Sequence, residues 1–386
     1  MPRSDRFFQI PCSSPPIHRV SSHMISQLIA DSSAEIVKES WSHLGRGAQG
    51  QVYLVKVKLP DNDYRWCVLK SMGNESQAKE TAINLALTEA DESSTDHNII
   101  KIISNFKDGV QEYALFPLCE TTLDKQMITL QKIKELNPEF FYFIIIQLML
   151  DLLKAVDYMH CNNVVHRDIK PENIGFHLGR WCLFDLGCST RKDSNEMLQG
   201  TFYFSHPAGM VENSESARSY SDIYGLGQTL KLLLYPGARI FYQEFFLKMP
   251  WKYLMIKGLE FHKAQKATSA TSYPLSFEER FRGLDKNDIS GTLRFLVASM
   301  TSIHPENIPN AACLIACFSE LQEQLREKLG EDELERMSEV YQVLIETPPS
   351  SELSDDINIA HQHSCTFTGR EKKPDSLVSV SLTFSG

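Results

Sequence analysis

His166-Arg167-Asp168-Ile169-Lys170-Pro171-Glu172-Asn173, followed twelve residues later by Asp185-Leu186-Gly187, decides how the rest of this chain is read. The motif combines a carboxylate that can accept a proton with an ammonium that can offset developing negative charge. Asn173 and Asp185 add two oxygen donors suited to a hard divalent cation. The stretch ahead of it, Phe140 to Val156, is strongly apolar but carries Gln147, Asp151 and Lys154. It is short for a membrane span and fits a helix buried on most sides at the centre of a lobe. Asn137-Pro138 provides its start, a capping side chain followed by a proline in the first turn. His160-Cys161-Asn162-Asn163 provides its end. The motif therefore occupies a loop held by a rigid helix, a usual place for chemistry.

Upstream, Gln51 to Lys58 and Trp66 to Lys70 are rich in β-branched and aromatic residues and flank Pro60-Asp61-Asn62-Asp63, which predicts two strands joined by a turn. A helix is expected from about Ser76 to Leu87, then strands at Ile99 to Phe106 and Glu112 to Pro117. The first half thus reads as a small, mostly antiparallel sheet with one helix. After Leu118 the pattern is helical, apart from a short strand at Trp181 to Phe184. Residues 1–38, rich in Ser and Pro, read as a flexible extension. Residues 329–386, with acidic runs and Pro348-Pro349-Ser350-Ser351, read as a disordered tail.

Leu44-Gly45-Arg46-Gly47-Ala48-Gln49-Gly50-Gln51-Val52 is a Gly-rich loop whose glycines allow the backbone to approach phosphates closely. No strand–loop–helix unit surrounds it, which disfavours a dinucleotide site. Twenty residues after Gly50, Lys70 ends the strand Cys67-Val68-Leu69, where it could hold phosphates. Two glutamates compete as its partner, Glu80 and Glu89. Periodicity favours Glu80, which shares a helix side with Ile83 and Leu87, whereas Glu89 is followed by Glu92, Ser93 and Asp96.

From about residue 40 to 325 the chain resembles the eukaryotic protein kinase superfamily, as a divergent member of serine/threonine type. The order of elements carries the resemblance: Gly loop, strand lysine, helix glutamate, His-Arg-Asp loop, Asp-Leu-Gly in place of Asp-Phe-Gly, and Ser221-Asp222-Ile223-Tyr224-Gly225-Leu226-Gly227. It implies an α+β bilobal fold, with the small sheet lobe ahead of a larger helical lobe and a kinase domain over 39–328. It also implies transfer of the γ-phosphate of ATP to Ser or Thr hydroxyls of protein substrates. Asp168 would then orient the hydroxyl, and Lys170 would offset charge on the phosphate. Asn173 and Asp185 would hold Mg²⁺. Lys70 with Glu80, residues 44–52 and the backbone of Cys119 would bind the nucleotide, with Phe116 gating the pocket. Asp222 would brace the catalytic loop. Arg167 could grip a phosphate on Ser189, Thr190, Ser194 or Thr201, or the loop could need no phosphate.

Three departures stand out. Ala208 follows Pro207 where the family has a glutamate, and Ile308 stands where that glutamate's arginine partner would be. Losing both halves of an ion pair strands no charge. Val68 replaces a usual Ala above the adenine, and Gly175 a usual Leu below it, so the pocket is expected to be shifted or roomier underneath. These changes keep open an alternative, a nucleotide-binding pseudokinase or scaffold without transfer activity. The net charge of −10 argues against nucleic acid as a main partner. Nine scattered cysteines without a CxxC pair, and an N-terminus without an apolar core, imply reduced thiols in the cytoplasm or nucleus.

Overall fold

The computed structural model describes residues 35–47, 50–59, 64–72, 75–89, 97–108, 111–194, 199–211, 218–240, 275–346, 365–368 and 383–384. Most of the extension at 1–38, the turn at 60–63 and the centre of the Gly loop, Ala48 and Gln49, lie outside them.

The first lobe is a five-stranded antiparallel sheet in the order β1-β2-β3-β5-β4. Its strands are β1 (Glu35–Gly47), β2 (Gly50–Lys58), β3 (Tyr64–Met72), β4 (Ser104–Asp108) and β5 (Gln111–Pro117). Glu35 to Lys38 belong to β1, not to a loose extension, because Glu35, Ile36 and Val37 pair with Lys58, Val57 and Lys56. Period-2 alternation turns Val55, Val57, Cys67, Leu69 and Leu115 to one buried face. The register aligns Val52, Lys70 and Ala114 across β2, β3 and β5.

Helix α1 (Glu75–Glu89) follows β3 and lies against the turn at residues 186–188, with Ile83 and Leu87 buried in the core of the second lobe. The strand expected from Ile99 begins only at Ser104. Before it, the chain is tied to the second lobe by a parallel bridge from Ile99 to Leu183. Ile100 N–H donates to Leu183 O at 2.8 Å, and Leu183 N–H donates to Asn98 O at 2.9 Å. Asn98 turns the chain with a φ of 58°. Local β-propensity at 99–103 thus serves a crossing between lobes instead of a regular strand.

The second lobe is mainly helical. Helices α2 (Leu123–Leu136) and α3 (Pro138–Cys161) lead into it. The Asn137 side chain accepts from Phe140 N–H at 3.0 Å and caps α3 as its sequence implies. Phe141, Ile145, Leu148, Leu152 and Val156 of α3 are fully buried. No helix among the described residues is long and apolar enough to cross a membrane. Short strands β7 (Val164–Val165), β8 (Ile174–His177) and β9 (Arg180–Leu183) frame the motif loop, reached from β5 through β6 (Thr121–Thr122), which pairs with β8. After β10 (Thr190–Arg191) and β11 (Gln199–Gly200) come α4 (Pro207–Val211) and the buried α5 (Ser219–Leu234). Helices α6 (Pro236–Ile240), α7 (Phe277–Arg282), α8 (Ile289–Met300) and α9 (Ala311–Leu329) complete the lobe.

The region read as a disordered tail opens instead with a helix, α10 (Glu331–Glu346). Leu334, Met337, Tyr341 and Ile345 recur at helical spacing and pack inward, with Tyr341 edge-on to Phe140 at 6.5 Å. The acidic residues between them face away and mask this stripe in the sequence.

Candidate active site

The motif loop is set by a buried carboxylate from α5. Asp222 accepts His166 N–H at 2.9 Å and Arg167 N–H at 2.8 Å. His160, at the end of α3, approaches the same carboxylate with Nε2 at 2.9 Å. Burial pushes the Asp222 carboxyl up, but His160, His166 and the backbone donor more than compensate and hold it below the usual range. Arg167 can therefore sit at a φ of 71°, a left-handed conformation that unconstrained side chains avoid.

Three groups converge on Asp168. Thr201 N–H donates to its Oδ1 at 2.7 Å. Asn173 Nδ2 donates to its Oδ2 at 3.1 Å and to its carbonyl at 2.8 Å. Lys170 Nζ lies 2.9 Å from Oδ2 and donates to Thr201 Oγ1 at 2.8 Å. Burial opposes the Lys170 charge, yet Asp168 and Glu172 outweigh it and raise its pKa, so the ammonium persists. Gly200 lies against this cluster with a φ of 109°, and a Cβ there would stand 2.3 Å from the Arg167 carbonyl oxygen. Only glycine lets β11 come so close.

A second cluster joins the two lobes. Lys70 Nζ bonds both oxygens of Glu80, at 2.7 and 3.0 Å, and Asp185 Oδ1 at 2.9 Å. The structure thus brings Glu80, not Glu89, to Lys70, while Glu89 is the last residue of α1. Burial opposes the charge on Lys70, but the two carboxylates overcome it and raise its pKa. Asp185 is correspondingly lowered by Lys70 against the effect of burial, and its side chain stays 40 % exposed. Asp185 adopts a φ of 62°, turning its carboxylate back toward β3.

At the Gly loop, Gly45 pairs with Val52 and Gly47 with Gly50. Leu44 is half-buried. Gln51 is held by its N–H to Ser71 Oγ at 2.8 Å and by the Tyr53 hydroxyl on its Oε1. The extra room expected beneath Gly175 is not present. A Cβ on Gly175 would lie 2.5 Å from Cys119 Sγ and 3.3 Å from Phe184 Cδ1, so the Cys119 side chain fills the space. Burial pushes that thiol up, which keeps it protonated.

The candidate phosphate-bearing hydroxyls also separate. Ser189, Thr190 and Thr201 are at most 3 % exposed, whereas Ser194 is half-buried. Ser189 Oγ lies 3.4 Å from His166 O, and Thr190 Oγ1 lies 3.1 Å from Ser194 Oγ. Strand β10 further binds Thr190 and Arg191 to Val165 and Val164. Sequence reasoning did not find Gly200, His160 or His206. Their signals are single residues whose partners lie far away in the chain.

Comparison with known proteins agrees with this geometry. Residues 39–312 match the model of the protein kinase domain family. The chain is 30% identical over 190 residues to the serine/threonine-protein kinase R436 of Acanthamoeba polyphaga mimivirus, covering 46% of this chain and 63% of that one. It is 31% identical over 208 residues to Aurora kinase of Saccharomyces cerevisiae, covering 52% and 53%, respectively. Calcium-dependent protein kinase 4 of Plasmodium berghei is 27% identical over 202 residues, covering 50% and 36%. The chain thus spans less than two thirds of the length of each of these three relatives. With the family match covering well over half of the chain, and the sheet lobe, helical lobe and two polar clusters in place, the chain belongs to the protein kinase family.

Proposed function

We propose that this chain is a serine/threonine protein kinase that transfers the γ-phosphate of ATP to protein hydroxyls, with Mg²⁺ as the metal. One observation carries the reading: Asp168 and Lys170 share Thr201 while Asn173 braces the same carboxylate, all at hydrogen-bond distance. In this arrangement Asp168 orients the acceptor hydroxyl and receives its proton. Lys170 offsets charge on the transferring phosphoryl group, and its tie to Thr201 supports Ser/Thr rather than Tyr acceptors. Lys70, kept charged by Asp185 and Glu80, holds the nucleotide phosphates. Most of the rate then comes from positioning and fixed charge.

The donor set suits magnesium. Asn173 directs its amide nitrogen to Asp168, which leaves its amide oxygen as a donor, and Asp185 offers an exposed carboxylate. A divalent metal held by Asn173 and Asp185 would neutralise charge on the phosphate groups. The scaffold reading drew on the altered adenine walls and the missing ion pair, and of these Cys119 fills the space beside Gly175.

The test is transfer of label from γ-labelled ATP to a generic protein substrate, with and without EDTA, followed by phosphoamino-acid analysis. Label on Ser or Thr that EDTA abolishes is expected. Nucleotide binding without any transfer would establish the scaffold instead, and label on Tyr would overturn the specificity.

The floor makes its own prediction. Gly175→Leu should weaken nucleotide binding by about tenfold, as overpacking of a filled site costs roughly 1–3 kcal/mol. Adding Cys119→Gly should restore most of it. Isothermal titration with ATP measures both, and equal affinity in all three proteins would show that the floor does not touch the nucleotide.

A further inference from the structure

Ala208 and Ile308 remove the usual ion pair beneath the substrate-side segment, yet that segment is firmly held. Ala208 is buried, and Ile308 packs against the lobe's core. Neither can make a polar tie with its side chain. His206, two residues earlier and 1 % exposed, makes two with described residues. Its Nε2 lies 3.0 Å from the Ser302 carbonyl oxygen in the loop after α8. A carbonyl only accepts, so Nε2 carries the proton. Its Nδ1 accepts Ala208 N–H at 3.1 Å. The ring is therefore neutral with both nitrogens engaged, and it does not need the charge compensation that a buried ion pair demands.

The ring also packs edge-on to Tyr220 at 4.9 Å and to Tyr224 at 5.0 Å. Both belong to α5, the helix that carries Asp222. Its partner loop is braced in turn: His304 N–H donates to Ser302 Oγ, and Ser302 Oγ donates to His304 O, each at 3.2 Å. From His206 the path to the chemistry is short. The adjacent Ser205 donates its hydroxyl to Thr201 O at 3.0 Å, and Thr201 N–H holds Asp168.

We infer that His206 is a positioning residue, a neutral three-way anchor that takes the place of the absent ion pair. It fixes residues 199–211, where a protein substrate would lie beside Asp168, against α5 and the loop after α8. This rests on the kinase reading for its effect on substrate but not for the anchoring itself.

The test therefore has two readouts. In His206→Phe the ring stays between the tyrosines but both polar ties are lost. In His206→Gln an amide N–H can still reach the Ser302 carbonyl. Hydrogen exchange at the amides of 199–211 should accelerate by about tenfold in His206→Phe and by much less in His206→Gln, in line with the loss of one or two buried hydrogen bonds. Amides of the five-stranded sheet should not change. KM for a protein substrate should rise by about tenfold in His206→Phe and recover in His206→Gln, with ATP affinity unaltered in both. Unchanged exchange at 199–211 in His206→Phe would overturn the anchor, whether or not the protein transfers phosphate. Faster exchange with KM unchanged would overturn the link to substrate. A uniform acceleration across both lobes, or a drop in ATP affinity, would show ordinary destabilisation and equally overturn it. An absence of transfer in the unaltered protein would instead count against the kinase reading, and leaves the exchange result to decide the anchor.

Discussion

Asp168→Asn should reduce phosphate transfer by about 10²–10⁴-fold, the range typical for loss of a positioned proton acceptor, while ATP affinity stays within about twofold. The split follows from where Asp168 sits. Its carboxylate contacts Lys170, Asn173 and the Thr201 backbone, and Lys70 is on the other cluster with Glu80 and Asp185. Asparagine keeps the shape and can still accept Thr201 N–H. It cannot take up a proton, and its amide group presents donors to the Lys170 ammonium. Single-turnover transfer and ATP titration on the same preparation separate the two effects. Equal transfer from both proteins would end the assignment of Asp168, and parallel loss of ATP affinity would mean that the substitution disturbs the fold instead.

Asp222→Ala should be the most destabilising single change in the site, by about 2–6 kcal/mol, since two buried backbone N–H groups each lose their acceptor at about 1–3 kcal/mol. His160 loses its partner as well. The midpoint in a urea titration should fall, with transfer falling too, because the turn at Arg167 no longer has the hydrogen bonds that hold its positive φ. A midpoint within error of the unaltered protein would contradict this.

Acid adds a check on the same residue. The Asp222 carboxyl titrates below its usual range when folded. Its contribution is therefore complete above the unfolded value, about 4, and is lost as pH falls through the folded one. Asp222→Asn, which has no such proton to bind, should show a shallower loss of stability below about pH 4. An identical acid limb in both proteins would assign that loss to other carboxylates.

Much of this site can be read in the chain because its chemistry is local in sequence. Asp168, Lys170 and Asn173 fall within one loop whose spacing alone places them near each other. Glu80 could be chosen over Glu89 because Glu80, Ile83 and Leu87 share one side of a helix, and all three are buried. Helix α10 carried an equally periodic signal at Leu334, Met337, Tyr341 and Ile345, and it was obscured only by the acidic residues between them. The crossing at 99–103 misled for a different reason. Its β-branched residues satisfy the interface between two lobes as well as they would a strand.

Gly175 marks the limit of such reading. A glycine in place of a larger residue implies a void until the neighbour that fills it is known, and that neighbour, Cys119, arrives from another strand end. The same holds for Ala208 and Ile308, whose lost ion pair gives no hint that His206 meets Ser302.

The sequence by itself determined most of the order of the elements and the grouping of Asp168, Lys170 and Asn173, because periodicity and short spacings depend on local backbone geometry, and the order of its motifs carried the resemblance to the family. Only the tertiary structure decided which distant groups meet: Lys70 with Asp185, Asp222 with the backbone of His166 and Arg167, Cys119 with Gly175, and His206 with Ser302. Such pairings depend on how closed loops and packed faces bring remote backbone together, and ångström distances between them have no counterpart in residue spacing.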